Sequence, residues 1–161
     1  MEERLKLLIA EMEDQLREID RLHDRVELKS RSLRADPEND DIRDSLGYAL
    51  HNLYCAYEDL FRIVADFFEN QIEPSGGYHL GLLRRMRVEI EGVRPRLISD
   101  ESFELLDELR GFRHVFRHAY TYHLDPVRLL NLADRVKRLR DLFQRDYERF
   151  KSELLKGLET D

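Results

Sequence analysis

The sequence predicts an all-α protein, an antiparallel helical bundle of about five helices, from three observations. Apolar residues recur at three- and four-residue steps over long stretches, the spacing that places them on one side of a helix. Glycine and proline are scarce, with seven and four in 161 residues, which leaves few turns for a sheet. No stretch alternates apolar and polar residues for long enough to indicate a strand. At this length we expect one domain, residues 1–161, around a single core.

The first half of the chain predicts two long helices. The first is expected over residues 2–34, and its apolar stripe comprises Leu5, Leu8, Ile9, Met12, Leu16, Ile19, Leu22 and Val26. After it, Asp36 is the expected N-cap and Pro37 the first residue of a second helix that continues to about Asn70. Each helix would be ~50 Å long at about 1.5 Å per residue. That length exceeds the needs of a compact domain, so we expect apolar surface for a second copy and a dimeric bundle.

The second half predicts three further helices. A loop over residues 73–77 precedes a third helix, which is expected over residues 78–91 and is ended by the break at 92–95. Ser99 is the expected N-cap of a fourth helix. Asp125-Pro126 opens a fifth helix, which continues to near the C-terminus.

Composition excludes several classes of protein. The single cysteine, Cys55, excludes an intrachain disulfide and fits a reducing compartment. No apolar run approaches the ~20 residues that span a bilayer, and the N-terminus does not read as a signal peptide, so we expect a soluble, cytoplasmic protein with no membrane contact. There is no Gly-rich phosphate loop and no His-Glu-x-x-His pattern, and we expect no metal and no cofactor.

The charge of the chain is unevenly distributed. The formal net charge is −7, and residues 1–78 hold ten Lys and Arg against nineteen Asp and Glu. Residues 79–140 hold thirteen against nine, a local charge of +4, together with four of the six histidines. The asymmetry fits either the uneven decoration of solvated helix faces or a local anion site on an acidic body.

Six side chains suited to ligand binding or catalysis lie within residues 110–120: Arg110, Arg113, His114, Arg117, His118 and Tyr120. Guanidinium is a permanent cation shaped for phosphate, and imidazole exchanges protons near neutral pH. Cleavage of RNA through its own 2′-hydroxyl needs a base, an acid and positive charge, but no metal. We expect proton transfer by His118 or His114. The developing charge would be stabilised by Arg113, with Arg110 or Arg117 nearby.

Helix geometry constrains such a site. A five-residue step turns about 140° on an ideal helix, so Arg113 and His118 would point to different sides, whereas His114 and His118 would share a face. The pair converges only if the helix is distorted, if Arg113 reaches round, or if a second subunit completes the site. Arg and His at a helix C-terminus also complement the macrodipole without any catalytic role. The histidines expected at the core edge or surface are His23, His51 and His79.

A sequence pattern adds to this reasoning. Arg113, four residues, and then His118-Ala119-Tyr120 resemble the Arg-x4-6-His signature of HEPN domains, in the Arg-x4-His-x-Tyr form of HepT toxins from HEPN/MNT toxin–antitoxin systems. Similar segments occur at 49–54, at 77–83 with Met86, and at 94–99. The resemblance covers roughly residues 5–150.

The resemblance implies an all-helical homodimer whose motif faces a cleft between subunits. It implies that Arg113 and His118 are the catalytic pair of a metal-independent endoribonuclease toxin that acts on RNA. Tyr120 would be the residue to which an MNT-type nucleotidyltransferase antitoxin adds AMP, and the added phosphate beside Arg113 and Arg117 would occupy the anion site and block RNA. Many family members carry Asn or Asp directly after the motif arginine, where this chain has His114.

Two other interpretations remain open. In the first, the chain is a non-catalytic helical accessory subunit that binds a nucleotidyltransferase or a nucleotide, and its arginines hold a phosphate without breaking a bond. In the second, it is a structural bundle whose histidines only pack, and burial of the cluster would favour that interpretation.

Overall fold

A computed structural model describes residues 2–69, 77–121 and 123–159. Within these ranges the protein is an all-α bundle, which confirms the predicted fold class. Its helices are α1 (Glu2–Ala35), α2 (Asp40–Glu69), α3 (Tyr78–Met86), α4 (Asp100–Arg117) and α5 (Pro126–Glu159), with a 3₁₀ turn at Ala119–Thr121 after α4. The only strand-like pairing in the described part is an isolated antiparallel bridge between Ile90 and Arg94.

The central helix is α2. It packs most extensively against α1 and also contacts α3, α4 and α5. Its apolar face supplies much of the core, whose largest fully buried side chains include Tyr54, Tyr57, Phe61, Phe143, Phe150, Leu8 and Met12. None of the helices in the described ranges is long and apolar enough to cross a bilayer.

The start of α2 differs from the prediction. The sequence predicts Asp36 as the cap and Pro37 as the first helical residue, but α2 begins at Asp40. Asn39 is the cap, because its side-chain oxygen accepts a hydrogen bond from the Ile42 amide at 3.1 Å. The prediction is wrong because the acidic residues that follow Asn39 give the later position the better N-terminus.

The end of α3 is also earlier than predicted, at Met86 rather than at residue 91. The Met86 carbonyl accepts a hydrogen bond from the Leu97 amide at 2.9 Å, so the chain folds back instead of continuing the helix. The turn closes around Arg94, which is fully buried. Its guanidinium hydrogen-bonds the Glu69 carboxylate and three backbone carbonyls. These contacts satisfy carbonyls that a longer helix would have paired internally.

The N-terminal starts of α4 and α5 are where the sequence predicts them. The Ser99 hydroxyl accepts a hydrogen bond from the Ser102 amide at 3.3 Å. The side chain of Asp125 accepts one from the Val127 amide at 3.0 Å. The predicted end of α2 at Asn70 and the loop predicted from residue 73 lie outside the described residues, apart from Gly77 at the N-terminus of α3.

Candidate functional site

The Arg/His stretch lies where α4 ends. The helix includes Arg117, and His118 is its C-cap, with φ −106° and ψ 7°. The 3₁₀ turn that follows carries Tyr120, whose side chain is 84% exposed. We call residues 110–120 the motif end. Most of its polar side chains are exposed, so the interpretation as a purely structural, buried cluster is not supported.

Gly47 of α2 allows the motif end to pack closely against the bundle. A Cβ atom at this position would lie 2.6 Å from the Leu124 Cδ1 atom and 3.3 Å from the Phe116 Cδ2 atom. The first distance is shorter than any ordinary carbon–carbon contact, so a larger residue would displace Leu124. Gly47 therefore allows α2 to lie close to Phe116 in the motif end and to Leu124, which follows it.

The two predicted catalytic side chains have different neighbours. Arg113 is partly buried, and its charge lies close enough to Cys55 of α2 to act against the rise that burial causes in the pKa of that thiol. His118 is exposed, and its Nδ1 atom donates to the His114 carbonyl at 2.8 Å. The His114 and His118 rings lie 4.3 Å apart between centroids. The side chains therefore follow the ideal-helix expectation, in which the two histidines share a face and the arginine turns elsewhere.

The hydrogen bond of His118 defines the chemistry of its ring. A carbonyl oxygen only accepts, so Nδ1 carries the hydrogen and Nε2 is the lone-pair nitrogen of the neutral imidazole. Because the bond involves the backbone of His114, any residue at that position would provide it. The side chain of His114 contributes only the ring contact.

The arginines of the motif end differ in their ionic partners. Arg110 forms a salt bridge with Asp107 at 2.8 Å. In the described ranges, no carboxylate lies within 4.0 Å of a guanidinium nitrogen of Arg113 or Arg117. Within the described residues the positive charge of these two side chains is therefore not matched by a carboxylate, whereas Arg110 is paired with one.

A third histidine, His51 of α2, lies beside the motif end. Its ring stacks on Phe116 with centroids 5.1 Å apart and an interplanar angle of 27°. Its Nε2 atom is 3.8 Å from the Cys55 sulfur. Burial lowers the pKa of His51, and the charges of Arg113 and Arg117 lower it further, so the ring is neutral near pH 7.

Sequence reasoning did not include His51 or Cys55 in the site. With Gly47 they recur at four-residue steps, which places all three on one side of α2. A row of small and polar residues beside an apolar helix face is visible in the sequence and indicates a surface that another element can approach closely. Only the structure shows that the stripe faces the motif end of α4.

Two further histidines, His23 and His79, are bonded to residues outside the motif end. His23 is in the core rather than at its edge, where its Nε2 atom is 2.7 Å from the Tyr57 hydroxyl. Burial, with the nearby charge of Arg140, lowers the pKa of His23 to about 3. His79 hydrogen-bonds the buried Glu58 carboxylate at 2.7 Å and so ties α3 to α2.

The described residues contain no group of three or more His, Cys, Asp or Glu side chains placed to hold a metal ion. The pair His114 and His118 supplies only two such side chains. The expectation that the site uses no metal stays a prediction.

An all-α bundle whose fourth helix ends in Arg-x4-His-x-Tyr has the features of the HEPN class. A family model described as HepT-like protein matches residues 45–154, from α2 through the motif end into α5. The match spans more than half of the chain, which therefore belongs to the HepT-like family. No curated protein and no solved structure was found to match the chain.

Proposed function

We propose that this protein is the toxin of a HEPN/MNT toxin–antitoxin pair and that it cleaves RNA without a metal. The observation that carries the proposal is the Arg113 and His118 pair, set at an exposed helix end in a chain of the HepT-like family. A positive site that is not cancelled by carboxylates attracts a phosphodiester. An imidazole beside it supplies proton transfer.

The chemistry follows from these two groups. The RNA 2′-hydroxyl attacks the adjacent phosphorus, and the bond to the 5′-oxygen breaks, which leaves a 2′,3′-cyclic phosphate and a 5′-hydroxyl. The lone pair on Nε2 of His118 takes the proton of the 2′-hydroxyl, and the imidazolium so formed, directly or through water, returns a proton to the leaving 5′-oxygen. Arg113, supported by Arg117, stabilises the negative charge that develops on the phosphate oxygens. Arg110 and His114 have secondary roles, in binding flanking phosphate and in packing against His118.

We further propose that the site is completed in a homodimer. In one chain Arg113 lies towards α2 while the His118 ring lies beside that of His114, so a second motif end would bring complementary groups together. An apolar side chain beside the motif end is available for such contact: Tyr48, whose ring centroid lies 6.4 Å from that of Phe116, is 51% exposed. A second copy would remove it from water.

Tyr120 is the proposed site of control. An MNT-type nucleotidyltransferase antitoxin would add AMP to its hydroxyl, which the 84% exposure of the side chain makes accessible. The added phosphate would lie near Arg117, which has no carboxylate within 4.0 Å in the described part of the chain, and would occupy the anion site. RNA would then be excluded by charge and by bulk.

Cleavage in excess EDTA tests the catalytic proposal. Purified wild-type protein should cleave RNA under these conditions, whereas Arg113→Ala and His118→Ala should not. Equal cleavage by all three proteins would assign the activity to a contaminating nuclease. Cleavage by the wild type should also weaken with salt, because phosphate contacts release counterions, and a rate that is flat over a tenfold range of salt would contradict this mechanism.

Intact-mass spectrometry tests the control proposal. The chain is co-expressed with a nucleotidyltransferase encoded by a neighbouring gene, and a mass increase of one adenylyl group is expected on the wild type. The variant Tyr120→Phe keeps the ring and removes the hydroxyl, so it should gain no adduct. An unmodified wild type would refute the AMP switch but not the nuclease.

The alternative function is a non-catalytic accessory subunit that binds a nucleotidyltransferase or a nucleotide. The separation of Arg113 from the histidine pair within one chain favours it, because an arginine that only holds phosphate needs no neighbouring base. Phosphate-dependent binding of RNA or nucleotide without any cleavage by the wild type would support this alternative.

A further inference from the structure

A cavity of about 120 Å³ lies between α1 and α5, and none of its lining residues belongs to the motif end. The apolar part of its wall consists of Val26, Ala133 and Val136, which are all buried. A water molecule takes up about 30 Å³ in the liquid, so the cavity has room for about four waters. One ion of the size of phosphate fits the same space.

The His23 ring presents one nitrogen to this cavity. The ring lines the cavity and is 4% exposed. Its Nε2 atom is 2.7 Å from the Tyr57 hydroxyl in the core. Its Nδ1 atom has no hydrogen-bond partner among the described residues, and it is not one of the fully buried unpaired atoms. Nδ1 is therefore the polar atom of the ring that is open to the cavity.

The Tyr57 hydroxyl decides which nitrogen of His23 carries the hydrogen. Tyr57 is buried, and within the described ranges its hydroxyl is bonded to His23 alone. A buried O–H group without an acceptor is strongly unfavourable, so the hydroxyl donates to Nε2. Burial lowers the pKa of His23 to about 3, so the ring is neutral and its hydrogen is on Nδ1. The cavity therefore receives an N–H donor, which requires an acceptor.

Positive side chains outnumber carboxylates around this donor. Arg31 and Lys137 share the Glu27 carboxylate, at 2.7 Å and 3.7 Å. Arg34 pairs with Asp134. All five side chains line the cavity, so three positive charges meet two negative ones. Lys137 has the longest of these contacts, which leaves its ammonium group the most available to an anion.

A fourth cation of the cavity, Arg140, already has partners. Its guanidinium is bonded to Asp20 and Asp24, and neither of these carboxylates is among the residues that line the cavity. Arg140 therefore joins α5 to α1 and fixes the width of the cavity. We assign it no contact with a ligand.

We infer that this cavity binds a phosphate-sized oxyanion, which accepts a hydrogen bond from Nδ1 of His23 and pairs with Lys137, Arg31 and Arg34 at the rim. The site is separate from the motif end, so the inference does not depend on RNA cleavage. An ion bound there would contact α1 and α5 together. It would stabilise the folded bundle, because it binds the native state and not the unfolded chain.

Titration calorimetry with inorganic phosphate, against sodium chloride of equal ionic strength, tests the site. We expect a Kd on the order of 1 mM for the wild type, the affinity that about two charge-assisted hydrogen bonds provide. Lys137→Gln should weaken binding about tenfold, through the loss of one such bond.

Arg138→Gln is the matched control for this variant. The Arg138 and Lys137 side chains are 69% and 72% exposed, and each substitution removes one positive charge from α5. Arg138 pairs with Glu101 of α4 and does not line the cavity, so Arg138→Gln should stay within about twofold of wild type. Circular dichroism establishes that both variants are folded. Equal phosphate affinities for the three proteins would indicate attraction to net charge alone and would overturn the inference.

A ¹⁵N NMR spectrum of the histidine rings tests the contact inside the cavity. We expect an Nδ1–H signal for His23, assigned by its absence in His23→Gln, and a shift of this signal as phosphate is added. The shift should give the calorimetric Kd in the wild type and the weaker one in Lys137→Gln. A hydrogen on Nε2 instead of Nδ1 would refute the inference. So would a signal that does not move while phosphate binds, because the ion would then lie elsewhere.

Glycerol 3-phosphate distinguishes two sources of the oxyanion. Tighter binding than that of inorganic phosphate would identify the phosphate group of a small metabolite, whereas weaker binding would identify free phosphate. Either result retains the site, and binding of neither compound refutes it. A wild type that binds phosphate as expected but does not cleave RNA would retain this site and refute only the proposed nuclease.

Discussion

The body of the bundle and the motif end use the same residue types in opposite ways. Arg140 of α5 is bonded to Asp20 at 3.2 Å and to Asp24 at 2.7 Å, and so joins α5 to α1. Arg113 has no carboxylate within 4.0 Å of its guanidinium nitrogens among the described residues. Arg140 is thus matched to two acids and joins two helices, whereas Arg113 is left with a positive charge to offer a ligand.

Histidines show the same contrast. His23 is buried against the Tyr57 hydroxyl and stays neutral far below pH 6. His118 is exposed at the helix end, with its Nδ1 hydrogen fixed by a backbone carbonyl. The first ring is part of the core, and the second is oriented and accessible to solvent. In this chain, burial and pairing rather than residue type distinguish the structural histidines and arginines from the candidate catalytic ones.

The largest expected difference between the two regions comes from replacing Arg113 or Arg140 with alanine. Arg113→Ala should lower the RNA cleavage rate by about 10²–10³-fold, the usual cost of losing one group that stabilises transition-state charge, and should leave the urea midpoint unchanged. Arg140→Ala should leave cleavage within about twofold and cost about 1 kcal/mol of unfolding free energy, since its pairs are partly exposed. A loss of activity in both variants with equal loss of stability would remove the distinction.

The next largest effect concerns the cap that sets the start of α4. One oxygen of the buried Asp146 accepts hydrogen bonds from the Ser99 amide, the Ser99 hydroxyl and the Ser102 hydroxyl, at 3.0, 3.0 and 2.6 Å. Asp146→Ala should lower the free energy of unfolding by about 3 kcal/mol, because it leaves buried donors unsatisfied. Glu108→Ala, which breaks an exposed salt bridge with Arg135, is the control and should cost less than about 1 kcal/mol. Equal urea midpoints for the two variants would contradict the prediction.

The third prediction concerns pH. The pKa of His23 is about 3 in the folded protein, against about 6.5 when unfolded. Between these values the unfolded chain binds a proton that the native state does not, so stability falls as pH falls. Below pH 6 the slope from this group should approach about 1.4 kcal/mol per pH unit. His23→Gln retains a hydrogen-bond partner for Tyr57 and does not titrate, so its unfolding free energy should vary less with pH. Parallel pH curves for the two proteins would be inconsistent with a depressed pKa.

The smallest effect is expected at Gly47. Gly47→Ala gains helix propensity of up to about 1 kcal/mol but pushes a Cβ against the Leu124 side chain, so the net change in stability should be less than about 1 kcal/mol. Displacement of Leu124 and Phe116 should still lower cleavage a few-fold. Gly81→Ala in α3 meets no atom within 4 Å and should be stabilising and fully active. Identical activity in both variants would show that the close approach at Gly47 has no role in the site.

Local patterns predict most of this fold. The three-and-four spacing of apolar residues identifies α1, and Ser99 and Asp125-Pro126 mark the starts of α4 and α5 correctly. The error at the start of α2 is a choice between two nearby caps, whereas the error at the end of α3 arises because the decisive contact is not local. α3 ends at Met86 because the Leu97 amide returns to it, and no local signal predicts that return.

The candidate site shows the same limit. Arg113 and His118 are recognisable because their spacing is local and belongs to a known motif. His51 and Cys55 lie some sixty residues earlier, and only the packing of α2 against α4 brings them to Arg113. A sequence predicts which groups have the right chemistry, but the neutral or ionic state of their neighbours depends on contacts between helices.

The exposure of Tyr120 has a kinetic consequence. Its side chain projects from a 3₁₀ turn that follows α4, with 84% of its surface open to solvent. An enzyme that acts on this hydroxyl need not wait for any part of the bundle to open. Opening of the bundle would therefore not limit such a reaction, and a fully folded molecule could be modified as readily as a newly made one.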